Sequence, residues 1–206
     1  ILAASQGGNP SCGNYVCNGV SGACPVTCLN DGNCAMGYFC NAGTCAAKKT
    51  LGVACLANNE CQSGFCVDGV CCNTACNSGC DACSVAAGAM VGGTCSLVGI
   101  GAAGNNPSCA PYVCDGMNAG CPMSCAIDQN CAAGYYCNNG TCAAKQALGT
   151  ACLAGAQCSS GFCADGVCCN AACSGGCDVC AKAQGASADG TCTNLPANNA
   201  GQNPAC

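Results

Sequence analysis

Among 206 residues there are 33 Cys, three Phe, five Tyr and no Trp, so large apolar side chains cannot supply a conventional core and cross-links must substitute. Four basic residues against nine acidic ones give a net charge of −5, which argues against a nucleic-acid or anionic-membrane surface as partner. The 51% hydrophobic fraction is mostly Ala and Cys, and no stretch approaches the length of a membrane span, so no membrane insertion is expected.

All sixteen cysteines from Cys12 to Cys95 recur 97 positions later as Cys109 to Cys192, without insertion or deletion, and Cys206 falls one step beyond Cys109. Gly19/Gly116, Tyr38/Tyr135, Phe65/Phe162, Asp68/Asp165 and Asp81/Asp178 coincide as well. Self-similarity at a fixed period marks a tandem array. The chain therefore reads as linker 1–11, repeat 12–97, linker 98–108, repeat 109–194, and a stretch 195–206 that closes on the first cysteine of a third copy or on a contact with another subunit. The linkers end in Asn-Pro or a similar pair, and proline restricts both itself and the residue before it, which favours a defined connector.

Within the first repeat three cysteine groups follow one another: Cys12 to Cys45, Cys55 to Cys71, and the dense run Cys72, Cys76, Cys80, Cys83 closing at Cys95. Cys40-Asn41-Ala42-Gly43-Thr44-Cys45 and its copy Cys137 to Cys142 predict a hairpin with a Gly-containing turn. Phe65-Cys66-Val67-Asp68-Gly69-Val70-Cys71-Cys72 predicts a type I′ hairpin turning at Asp68-Gly69, repeated at Asp165-Gly166. That register sets Val67 opposite Val70 and Cys66 opposite Cys71, with both cysteines on one face. Helical periodicity is absent but for one short turn expected around Cys76 to Cys83, where spacings of four and three would align cysteines. The expected fold class is small and disulfide-rich, a tandem array of knotted modules with short β-hairpins and little regular secondary structure.

The spacing Cys28-x5-Cys34-x5-Cys40-x4-Cys45, followed by Lys48, Gly52 and Cys55-x5-Cys61-x4-Cys66-x4-Cys71, resembles the dickkopf N-terminal cysteine-rich region. The phrase CQSGFCVDGVCC, Cys61 to Cys72, is similar to secreted cysteine-rich tandem repeat proteins of myxobacterial type. The resemblance covers about half of each repeat. It implies crossed pairing, Cys28 with Cys40 and Cys34 with Cys45, then Cys55 with Cys66 and Cys61 with Cys71. It does not carry receptor antagonism, because a binding surface is no part of a cysteine pattern.

Chemistry finds few footholds. Cys80-x2-Cys83 and Cys177-x2-Cys180 have a zinc-ligand spacing, but there is no His, and an even number of cysteines per repeat in a chain that reads as secreted favours disulfides over metal. Asp68 and Asp165 are explained by their turns. Asp81 and Asp178, flanked by cysteines, offer either backbone hydrogen-bond acceptance or a cation ligand, and the first reading is favoured. Asp31-Gly32-Asn33 and Asp128-Gln129-Asn130 lack the carboxylates of a calcium loop. No catalytic, cofactor or metal site is expected, and the chain is not expected to be an enzyme.

An odd number of cysteines leaves one without a partner in the chain. If Cys109 bonds forward within its copy, Cys206 must look to a third copy or another subunit; if it bonds backward, Cys12 is the orphan. Cys206 and Cys12 are thus the candidates for an intermolecular or inter-repeat disulfide. A head-to-tail contact that does not close generates a filament, and a surface with 6% charged residues offers self-association little resistance. The expected function is that of an extracellular structural subunit whose partner is itself, as a head-to-tail homopolymer in a filament or surface layer. A secreted adhesin or ligand-binding module is the alternative, and metal sequestration a third reading.

Overall fold

The computed structural model describes residues 7–8 and 11–196. Among the described residues the regular structure is six two-stranded antiparallel hairpins and six single-turn 3-10 segments. In the first repeat β1 (Tyr38–Asn41) pairs with β2 (Thr44–Ala47), β3 (Cys66–Val67) with β4 (Val70–Cys71), and β5 (Asp81–Ala82) with β6 (Ser96–Leu97). The second repeat copies them as β7 (Tyr135–Asn138) with β8 (Thr141–Ala144), β9 (Phe162–Ala164) with β10 (Val167–Cys169), and β11 (Asp178–Val179) with β12 (Thr193–Asn194).

The turns explain the registers. Asp68 and Gly69 both adopt positive φ, +50° and +76°, so the two-residue turn matches the twist of its strands and sets Cys66 opposite Cys71. Asp165 and Gly166 repeat this geometry. Around Cys76 to Cys83 there is no helical turn: Cys76 itself has φ +43°, and Asp81–Ala82 is a strand. The Ser78 amide is held by the Asp81 carboxylate, and β5 takes its backbone partners from β6, so extended pairing prevails over the cysteine spacing there. The short helical segment lies just after it, at Val85–Ala87, capped by the Ser84 hydroxyl and ended by Gly88.

The core is sulfur. Cys28, Cys34 and Cys45 form one buried cluster against Tyr15 and Tyr38, Cys55, Cys61 and Cys71 a second, and Cys72, Cys76 and Cys83 a third against Val67 and Val70. Large aliphatic side chains meanwhile face water, with Leu29, Leu56 and Leu153 about as exposed as they can be. Buried hairpins this short would not hold by hydrophobic burial. Each disulfide contributes about 2–4 kcal/mol by restricting the unfolded chain.

The chain divides into two compact units. Unit 1 is residues 1–108 together with 116–120; unit 2 is 109–115 and 121–206. The connector 98–108 is thus folded into unit 1, where the Val98 amide donates to the Cys80 carbonyl and the Asn105 amide to that of Gly79. In each unit the second and third cysteine groups meet at a glycine pair. An added Cβ on Gly93 would sit inside the backbone of Gly52, and one on Gly190 inside that of Gly149. No helix among the described residues is long and apolar enough to cross a membrane.

Candidate functional site

Among the described residues, seven disulfides join positions of the first repeat: Cys12–Cys24, Cys28–Cys40, Cys34–Cys45, Cys55–Cys66, Cys61–Cys71, Cys72–Cys83 and Cys76–Cys95. Seven more join the equivalent positions of the second, from Cys109–Cys121 to Cys173–Cys192. Cys28–Cys40 crosses Cys34–Cys45 and Cys55–Cys66 crosses Cys61–Cys71, the pairings expected above. The vicinal cysteines Cys71 and Cys72 bond outward to different partners, Cys61 and Cys83. Close thiol trios such as Cys28, Cys34 and Cys45 have metal-like spacing, but each sulfur of that trio is already in a disulfide.

Cys109 bonds forward, yet Cys12 is not the orphan, because it bonds Cys24 within its own loop. The free thiol among the described residues is Cys17, half-buried in the middle of that loop. Its counterpart Cys114 is disulfide-bonded and 0% exposed. Cys80 and Cys177 are disulfide-bonded as well, Cys80 being 1% exposed and Cys177 on the surface. Cys206 lies outside the described residues. Nothing in the spacing distinguishes Cys17 from its neighbours: its copy has the same Tyr-Val before it and the same Gly two residues after it, with Asp115 in place of Asn18.

The loop after Cys17 is shaped in advance. Asn18 Oδ1 accepts the amides of Val20 and Ser21 at 3.0 and 3.1 Å, and Ser21 Oγ accepts that of Ala23 at 3.0 Å. Asn18 to Ala23 are all exposed. The loop borders an open groove of about 420 Å³ lined by residues including Val16, Pro25, Val26 and Leu29, and the second repeat has a similar groove of about 400 Å³ beside Val113 and Pro122.

Ninety-seven residues on, the equivalent loop Gly116–Gly120 belongs to unit 1 and sits on the edge of its third cysteine group. The Cys80 amide donates to the Ala119 carbonyl at 2.7 Å, and Gly79 bridges Gly120 on one side and Asn105 on the other. Gly79 has no side chain to obstruct this two-sided backbone approach. Asp68 fixes the same edge from behind: Oδ2 accepts the buried Cys83 amide at 2.7 Å, while Oδ1 accepts the side-chain amides of Asn105 at 2.6 Å and Asn106 at 3.2 Å. The turn residue thereby ties the hairpin, the third cysteine group and the connector together.

Four other carboxylates also bond within the fold. Asp31 Oδ1 accepts the Cys40 amide at 2.8 Å and the Asn59 side chain at 3.2 Å, and the Cys40 bond above all holds its pKa below the ordinary carboxylate value. The Glu60 pKa is lowered chiefly by its hydrogen bond from Lys49. Asp165 accepts the Cys180 amide at 2.6 Å and Asp81 that of Ser78 at 2.9 Å. Asp178 differs, with a buried Oδ1 that receives no hydrogen bond among the described residues.

No protein family, curated protein or solved structure matches this chain. The geometry itself describes a cysteine-rich protein of repeated, disulfide-bonded hairpin modules.

Proposed function

We propose that this chain is a non-enzymatic structural protein, an extracellular subunit that packs head to tail into a filament or surface layer, akin to the secreted cysteine-rich repeat proteins of bacteria. The observation that carries the reading is the seating of Gly116–Gly120 in unit 1: a repeat is completed by chain that follows it, which is the rule of a linear array. A contact of this kind is heterologous and propagates when the same surfaces recur. Disulfide density supports an oxidising compartment outside the cell, since cytosolic reductants would open these bonds. Low charge and exposed Leu29, Leu56 and Leu153 support packing against like neighbours. The partner is the chain itself, with neither nucleic acid nor membrane insertion, and no cofactor enters the mechanism, which is resistance to unfolding and proteolysis.

Negative-stain electron microscopy of native secreted material, kept away from reductant, tests the proposal. Long uniform filaments or sheets are expected. Discrete particles at every concentration would overturn it in favour of a secreted binding module.

A further inference from the structure

We infer that the exposed apolar face of unit 1 formed by Leu51, Val53, Val85, Met90 and Val91 is a docking surface for the same face of a second copy of this chain. The segments that carry it form one surface. A Cβ added to Gly52 would lie 3.0 Å from the Gly92 carbonyl oxygen, and one added to Gly92 would lie 4.0 Å from Val85 Cγ2. Residues 51–53 thus abut 91–93, with Val85 beside them, and the five side chains are between 43% and 84% exposed.

The second repeat shows that the fold does not require this apolar set. Ninety-seven residues on, the same positions hold Leu148, Thr150, Lys182, Ser187 and Ala188, and Gly92 becomes Asp189. The backbone beneath them matches. Val85–Ala87 and Lys182–Gln184 are both single 3-10 turns ended by a glycine at φ 107° and ψ 6°. Gly93 donates to the Cys83 carbonyl at 2.9 Å and Gly190 to that of Cys180 at 3.1 Å. One backbone therefore carries Lys182 and Asp189 in unit 2 and only apolar side chains at these positions in unit 1, where packing within the chain leaves them in water.

Size and charge select the occupant. The five exposures amount to on the order of 500 Å² of apolar surface, the size at which a patch marks an interaction site. Two such patches face to face would bury about 1,000 Å², where specific interfaces begin. None of the five side chains is charged, so a copy meets no repulsion from them. Docking on the equivalent face of unit 2 would instead bury Lys182 and Asp189 against side chains that offer no hydrogen bond, which is costly. A face that pairs with itself makes a two-fold contact, which closes. The pairing is therefore separate from head-to-tail packing and would join filaments side by side.

The test follows the oxidised full-length chain through a dilution series by sedimentation velocity, with hydrogen peroxide oxidation of each methionine read by mass spectrometry. Expected are concentration-dependent pairing and several-fold slower oxidation of Met90 in the paired state, with Met36, which is fully exposed, unprotected. The double variant Val85→Lys, Val91→Ala installs the residues that unit 2 already carries on the same backbone, and it should weaken pairing about tenfold or more and restore Met90 oxidation. Met90 oxidising at the same rate at every concentration, or pairing that survives in the double variant, would overturn the inference. Filaments with an unprotected Met90 would do so while leaving the structural reading intact, and protected Met90 without filaments would uphold the docking surface and sink the filament.

Discussion

Cys17 and Cys114 hold the same place in two copies of one sequence, yet one is a free, half-buried thiol and the other a bonded sulfur with no exposed surface. The loops that follow them diverge in the same way: Asn18–Ala23 lies open, whereas Gly116–Gly120 is hydrogen-bonded into unit 1. The carboxylates of the third cysteine group differ too: Asp81 accepts from the Ser78 amide, while Asp178, with Gly175 in place of that serine, has a buried oxygen with no hydrogen bond among the described residues. The two loops differ in sequence at most positions, and the second bonds into the unit that precedes it, so the repeat as numbered is not the complete folding environment of its own residues.

The sharpest way to break the comparison is at the sulfurs. Cys114→Ser removes a disulfide and is expected to cost about 2–5 kcal/mol, whereas Cys17→Ser should stay within about 0.5 kcal/mol in the unassembled chain; equal denaturation midpoints for the two would show that the copies are not distinct.

Where the copies agree, mutations should agree. Gly93→Ala and Gly190→Ala each drive a Cβ into the backbone of the facing glycine at φ +85° and +86°. Both are expected to cost about 3 kcal/mol, at the upper end for overpacking, in matched thermal melts. A large inequality between them would mean that the glycine pairs are not equivalent.

Asp68 and Asp165 then separate what the turn shares from what only unit 1 adds. Asp68→Ala strands the Cys83 amide and releases Asn105 and Asn106, for about 2 kcal/mol and faster exchange of the Asn105 amide. Asp165→Ala strands the Cys180 amide alone among the described residues, for about 1 kcal/mol.

Acid should produce the smallest difference. Asp31 and Glu60 have lowered pKa values, so their bonds contribute fully above the ordinary carboxylate pKa and are lost as pH falls through the depressed values, below about pH 4. Unit 2 replaces Lys49, Asn59 and Glu60 by Gln146, Ala156 and Gln157, where Gln157 accepts the Leu153 amide instead. Amide exchange at Gln62, which donates to the Lys49 carbonyl, should therefore accelerate in acid more than at Ser159, which donates to that of Gln146.

Much of the fold was legible because its determinants are local. Asp-Gly and Ala-Gly turns dictate their hairpins through positive φ, and the 97-residue period announces the array. The expected helical turn at Cys76–Cys83 failed for the opposite reason: its backbone bonds go to β6, to the connector and to Gly116–Gly120, all distant in sequence. Counting alone points to Cys12 or Cys206 as the orphan cysteine; it cannot see that Cys12 closes onto Cys24 around a free Cys17, and Cys206 lies outside the described residues.

By itself the sequence determined the repeat, the turns and the reliance on sulfur, because periodicity, turn chemistry and composition act over a few residues or over the whole chain at once. Tertiary structure alone decided that Cys17 stays free among the described residues and that Gly116–Gly120 is seated in unit 1, because both turn on contacts between residues distant in sequence.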